Sequence, residues 1–110
     1  WGARRPTRVV DHREAGKYLG QYLTVRGKVL RTAERTGLIY LNFGPDYRTD
    51  FTVVIFKAYL PNFTAQGIDP VSFYRGRTVE VTGTVKEYNG PEIIARDPSQ
   101  IRVVKEVKVP

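Results

Sequence analysis

Between residues 21 and 32 apolar and polar side chains alternate. Leu23, Val25, Gly27 and Val29 fall on one side of the pattern, and Thr24, Arg26, Lys28 and Leu30 on the other. A period of two over this length predicts a half-buried strand with a basic outer face. Gly27 in its middle is unfavourable unless the strand bends or bulges there. Residues 38–43 and 51–57 predict a second and a third strand. Residues 33–37 read as a polar turn, and GPDYRTD between the later strands is longer than a two-residue hairpin loop. Residues 78–88 alternate again, with Val79, Val81, Gly83 and Val85 inward and Glu80, Thr82, Thr84 and Lys86 outward. Asn89-Gly90-Pro91 is a turn signal. A short fifth strand follows at 92–95, and a last one at 101–104 after the break at Asp97-Pro98-Ser99.

The remaining stretches lack alternation. Asp11 with Glu14 three residues later predicts a short capped helical turn, ended by Gly16 and Gly20. Asp69-Pro70 is a helix-start signal, with aspartate as the cap and proline at the first helical position. That helix spans residues 70–74 and stops before Gly76. Residues 1–8 read as a basic arm and 105–110 as a loose tail. The expected organisation is an arm and turn over 1–20, a barrel over 21–104 and the tail. Val25-Arg26-Gly27-Lys28-Val29 and Val81-Thr82-Gly83-Thr84-Val85 share the pattern V-x-G-x-V. Two such strands, one on each side of a helical connector, suggest strands that bend to close a small barrel. The expected class is all-β with one short helix, a five-stranded Greek-key OB-fold barrel.

Three segments carry a narrower resemblance: YLNFGPDYRTDFTVVIF, YRGRTVEVTGTVKEYNGPEI and DPSQIRVV. They resemble a bacterial OB-type domain found alone or appended to thermonuclease-like proteins, often exported. The first segment is the most distinctive. The resemblance implies an OB barrel and a nucleic-acid-binding role. It implies a binding domain rather than a nuclease, because the acidic and arginine constellation of a thermonuclease site is missing here.

Charge adds a direction. The chain of 110 residues carries a formal net charge of +7. The excess is uneven: residues 1–57 hold 11 basic against 5 acidic side chains, and residues 58–110 hold 7 against 6. A clustered positive charge favours a polyanionic partner. Cysteine is absent, which excludes disulfides and thiolate chemistry. The one histidine, His12, has no companion at metal-site spacing and reads as a solvated residue. The two serines, Ser72 and Ser99, lie in no nucleophile motif, and no phosphate-binding loop occurs. Asp46 and Asp50 are the best acidic pair, but both are turn formers and nothing completes a site around them. No catalytic residue, metal or cofactor is expected. No run of apolar residues is long enough to span a membrane. Compartment is left open between cytoplasmic and exported.

Single-stranded nucleic acid needs cations for its phosphates and flat rings for its bases. The residues that meet this requirement are Arg26, Lys28 and Arg31 on the first strand, Arg35 in the first loop, and Tyr40 and Asn42 on the second strand. Tyr47 and Arg48 in the long turn and Lys86 and Tyr88 near the last hairpin complete the set. Phe43, Phe51 and Phe56 are assigned to the core. The expected function is a non-catalytic module binding single-stranded DNA or RNA with low sequence specificity. The rival reading is an exported or envelope OB module that binds a protein, a sugar or a small ligand.

Overall fold

The computed structural model describes residues 7–46 and 48–105. Most of the basic arm, Tyr47 and the end of the tail lie outside the described residues. Among the described residues nine strands form two sheets. In chain order they are β1 (Val9–Asp11), β2 (Tyr22–Lys28), β3 (Arg31–Arg35), β4 (Leu38–Asn42), β5 (Thr52–Phe56), β6 (Thr78–Thr84), β7 (Lys86–Glu87), β8 (Pro91–Ile94) and β9 (Ile101–Val103). The four-stranded sheet runs β1-β2-β6-β9 and the five-stranded sheet runs β3-β4-β5-β8-β7. This is the OB order, with the parallel β5–β8 pair placing the last hairpin beside the third strand expected from the sequence.

The first long strand is split between the sheets. The Val29 N–H donates to the Arg77 carbonyl at 2.9 Å, while the Leu30 N–H donates to the Asn42 carbonyl at 2.8 Å. Adjacent residues thus bond into different sheets, and the strand turns the barrel corner between them. Val85 marks the same corner between β6 and β7, its N–H donating to the Gln21 carbonyl at 2.9 Å. The repeated V-x-G-x-V pattern therefore does lie on the strands that join the sheets. Its glycines, however, are neither bends nor bulges, since β2 and β6 pair in regular register through Gly27↔Val79 and Leu23↔Gly83. They make room for side chains. A Cβ on Gly27 would lie 2.5 Å from the His12 ring and 2.8 Å from Phe43, and one on Gly83 would lie 2.6 Å from Ile93. His12 is correspondingly half-buried rather than solvated, its ring centroid 5.9 Å from that of Phe43.

Hydrogen-bonded ladders do not close the two sheets into one. At the gap between β6 and β8 the Gln100 side chain bonds to both. Gln100 Nε2 donates to the Thr82 carbonyl (3.0 Å) and the Ile94 carbonyl (3.4 Å), and Gln100 Oε1 accepts from the Arg96 N–H at 2.7 Å. Gln100 ends a 3-10 turn, Pro98–Gln100, whose cap is the Asp97 side chain accepting from Ser99 N–H.

Two parts of the chain depart from the sequence pattern. Residues 33–35 continue β3 instead of turning, and the turn contracts to Thr36 and Gly37, with φ of 47° and 78°. Positive φ at both central residues is the type I′ hairpin geometry that matches strand twist. Val9–Asp11 forms a strand parallel to β2 where only a cap was expected. This strand covers Thr24, which is 4% exposed although it lies on the outer face. Thr24 Oγ1 lies 2.7 Å from Thr82 Oγ1 and also meets Thr7 Oγ1, so hydroxyls tie β2 to β6 and to the chain just before β1. The expected cap is present as well. The Asp11 carboxylate accepts from the Arg13 N–H at 2.9 Å and opens a 3-10 turn, His12–Tyr18. Hydrogen bonds from Arg13 hold the Asp11 carboxyl down to about 2.

Two short helices connect the sheets, one more than the pattern predicts. A 3-10 turn, Lys57–Tyr59, leads into α1 (Leu60–Thr64), which buries Phe63. The expected helix is α2 (Pro70–Phe73), with the Asp69 side chain accepting from Val71 N–H at 3.2 Å. Phe63 meets the Tyr74 ring edge-on at 6.5 Å, and burial pushes the Tyr74 hydroxyl up to about 12. The core is mainly aliphatic, built on Leu23, Val25, Leu41, Val53, Ile55, Val79, Val81 and Ile93, with the rings of Phe43, Phe51, Phe63 and Tyr74. No helix among the described residues is long and apolar enough to cross a membrane.

Candidate functional site

The register of the five-stranded sheet sorts its outer face into cross-strand rows. One row runs Arg31, Asn42, Thr52, Glu92, Lys86. The next runs Ala33, Tyr40, Val54, Ile94, and a third runs Arg35, Leu38, Phe56. A cleft of about 160 Å³ opens over the first two rows. Its floor is Thr52 and Val54, 6% and 4% exposed although they point away from the core. Ala33, Arg35, Tyr40 and Asn42 line one side, and Tyr88, Asn89 and Glu92 the other. Tyr88 stands out at 74% exposure.

Local chemistry fixes both rims. Asn42 accepts from Thr52 Oγ1 at 3.3 Å, which leaves the rest of its amide facing the cleft. Asn89 and Gly90 take positive φ at the tip of the β7–β8 loop. A Cβ on Gly90 would lie 2.9 Å from the Thr49 carbonyl carbon, so glycine lets that loop rest on the backbone of the β4–β5 loop. The β4–β5 loop is in turn wound on its aspartates. Asp50 Oδ2 accepts from the Asp46 N–H at 2.9 Å, and Asp46 Oδ1 accepts from the Arg48 N–H at 3.0 Å. The acidic pair is thereby used in turn formation, as its position suggested. No group of three or more metal-ligating side chains occurs among the described residues. Glu92 is the one carboxylate among the described residues that line the cleft. Burial raises its pKa, opposed by the charge of Lys86 across the strand pair.

The structure brings together only part of the set expected from the sequence. Arg35, Tyr40, Asn42 and Tyr88 line the cleft. Arg31 and Lys86 close the two ends of its first row. Arg48 lies in the β4–β5 loop against the Gly90 turn, and Tyr47 lies outside the described residues. Arg26 and Lys28 do not join them, because β2 belongs to the other sheet. Arg26 sits there in a row of alternating charge, Asp11, Arg26, Glu80, Arg102. Glu80 takes Arg26 at 3.4 Å and Arg102 at 2.6 Å. Lys28 is exposed opposite Thr78. Phe56, assigned to the core from the sequence, is 37% exposed at the end of β5. Ala33 and Glu92 were missed. The turn assigned to 33–37 hid the first, and Glu92 shows itself only once the Asn-Gly hairpin sets it opposite Lys86.

No family model and no curated protein matches the chain. Solved structures do. An aspartyl-tRNA synthetase from Entamoeba histolytica superposes over 94% of this chain with a TM-score of 0.60 and 15% identity. An asparaginyl-tRNA synthetase from Pyrococcus horikoshii superposes over 89% with a TM-score of 0.57 and 20% identity. The chain spans only 22% and 23% of those two proteins. An OBody, AM1L10, in a structure bound to hen egg-white lysozyme, is matched over its whole length, with a TM-score of 0.60 and 15% identity. At these identities the likeness is one of architecture, and the architecture is the OB fold.

Proposed function

We propose that this chain is a non-catalytic OB module that binds single-stranded nucleic acid with little sequence preference. The observation that carries the reading is the cleft on the five-stranded sheet. It joins an exposed ring, Tyr88, and a wall ring, Tyr40, to Arg31, Arg35 and Lys86 at its margins. Rings stack on bases of any identity, and cations at the margins meet the phosphates on either side. Similarity in fold to parts of two tRNA synthetases supports a nucleic-acid partner. Kinship to OB domains that stand alone or accompany thermonuclease-like proteins belongs to the same reading, on the three sequence segments that resemble them.

Fluorescence anisotropy with labelled DNA and RNA oligonucleotides at low and high salt tests the reading. Binding is expected to weaken as salt rises and to fall on Tyr40→Ala and Tyr88→Ala. Absence of binding to either nucleic acid at about 50 mM salt, where phosphate contacts are strongest, overturns it. A protein partner on the same face is the second reading, favoured by the OBody, which is bound to lysozyme. In that case the face would select a folded partner, and oligonucleotides would not compete.

A further inference from the structure

Beyond the cleft, the same face carries a ring that the cleft does not use. Phe56 lies in the row Arg35, Leu38, Phe56, one row further along the strands. Tyr40 is opposite Val54, two residues before Phe56 on β5, so Tyr40 and Phe56 are diagonal cross-strand neighbours. Such neighbours stand about 7–8 Å apart. That is within the reach of one extended sugar–phosphate unit, but too far for the two rings to serve one base.

Phe56 is also braced, with basic residues in its row and next to it in the chain. Its ring lies 6.1 Å from that of Tyr59, tilted by 48°. The Arg96 guanidinium lies 5.8 Å over the other ring of that pair. Lys57 follows Phe56 directly, and its N–H is tied to the Gly37 carbonyl at 2.8 Å, which brings the hairpin turn alongside. Arg35, Lys57 and Arg96 make no ion pair with any described residue. An exposed ring with Arg35 in its cross-strand row, Lys57 next in the chain and Arg96 over its partner ring is suited to a base with its phosphate.

We infer that Phe56 is a second base-stacking platform, which takes the nucleotide adjoining the one held at Tyr40 and sets its phosphate among Arg35 and Lys57. The inference rests on the nucleic-acid reading of the cleft and extends it. It predicts that the bound strand runs along β4 and β5 toward the Thr36–Gly37 turn.

The test uses a labelled hexanucleotide with the wild-type chain, Phe56→Leu and Phe56→Tyr. Leucine keeps an apolar side chain and loses the ring, whereas tyrosine keeps the ring. Phe56→Leu is expected to weaken binding by about fivefold to a hundredfold, the range for one lost stack, and Phe56→Tyr to change it by less than about threefold. The ring protons of Phe56, followed by NMR in the unmodified chain, are expected to shift as oligonucleotide is added. That readout stands even if a variant folds poorly. Wild-type binding with an unmoved Phe56 ring and unchanged Phe56→Leu affinity overturns the platform and leaves the cleft standing. No binding by the wild-type chain overturns both.

Discussion

Thr36 holds a conformation that suits another residue. Its φ of 47° puts a β-branched side chain in the left-handed region, where Cβ crowds the backbone. Asparagine or glycine meets the same geometry with less strain, and Asn-Gly is the preferred pair for this turn. Thr36→Asn is therefore expected to stabilise the fold by about 1 kcal/mol, read as a rise of a few degrees in the thermal midpoint. An unchanged or lower midpoint would show that the threonine is relieved in some other way. Glu92 makes a second case at this scale. Burial raises its pKa, so the folded chain favours the protonated form. The stabilising contribution is full below the ordinary value of 4.5 and is lost as pH rises through the raised one. In the cleft the same proton removes a negative charge from the path of a polyanion. Oligonucleotide affinity is expected to rise as pH falls through the raised pKa of Glu92, and Glu92→Gln to raise affinity and flatten that dependence. A pH profile identical in wild type and Glu92→Gln would rule Glu92 out as the group responsible.

Among the elements, the joins between sheets say more than the strands themselves. Strands were legible because half-buried strands alternate, and the alternation in β2, β4 and β6 survives almost intact in their burial. The helix at Pro70–Phe73 was legible because its cap and proline are local signals. The role of the two strand glycines was not. A glycine that bends a strand and one that admits a neighbour's ring look alike in sequence, and His12 reaches Gly27 from 15 positions away. Gln100 was illegible for the same reason, since its three partners sit on other segments. Gln100→Ala removes the bonds to Thr82, Ile94 and Arg96 at once and leaves polar backbone groups at the gap without their partner. A loss of about 1–3 kcal/mol is expected by urea unfolding. A cost near zero would mean that water replaces the side chain without penalty. Exchange with Glu keeps the acceptor for Arg96 but sets a carboxylate oxygen against the Thr82 and Ile94 carbonyls, and should cost at least as much.

At the level of the whole molecule, the candidate site was half legible. The aromatic and amide residues of β4 were placed by alternation alone, whereas Arg26 and Lys28 were grouped with them although β2 lies in the other sheet, because parity gives the face of a strand and not its sheet. The corner at Val29–Leu30 decides that, and it separates Lys28 from Arg31. The outcome is a barrel with two unlike outer faces. One carries a neutralised row from Asp11 to Arg102, and the other gathers its cations around a cleft with a single carboxylate among its described residues. The contact between Gly90 and the Thr49 backbone bears on how that cleft would meet a ligand. Because the β7–β8 loop rests on the β4–β5 loop, the rim that carries Tyr88 and Asn89 is backed by packed backbone, and moving it means breaking that contact. A site with its rim backed in this way is expected to need no slow loop opening. Its encounter with a strand would be a one-step event, set by diffusion and charge rather than by the wait for a loop to move.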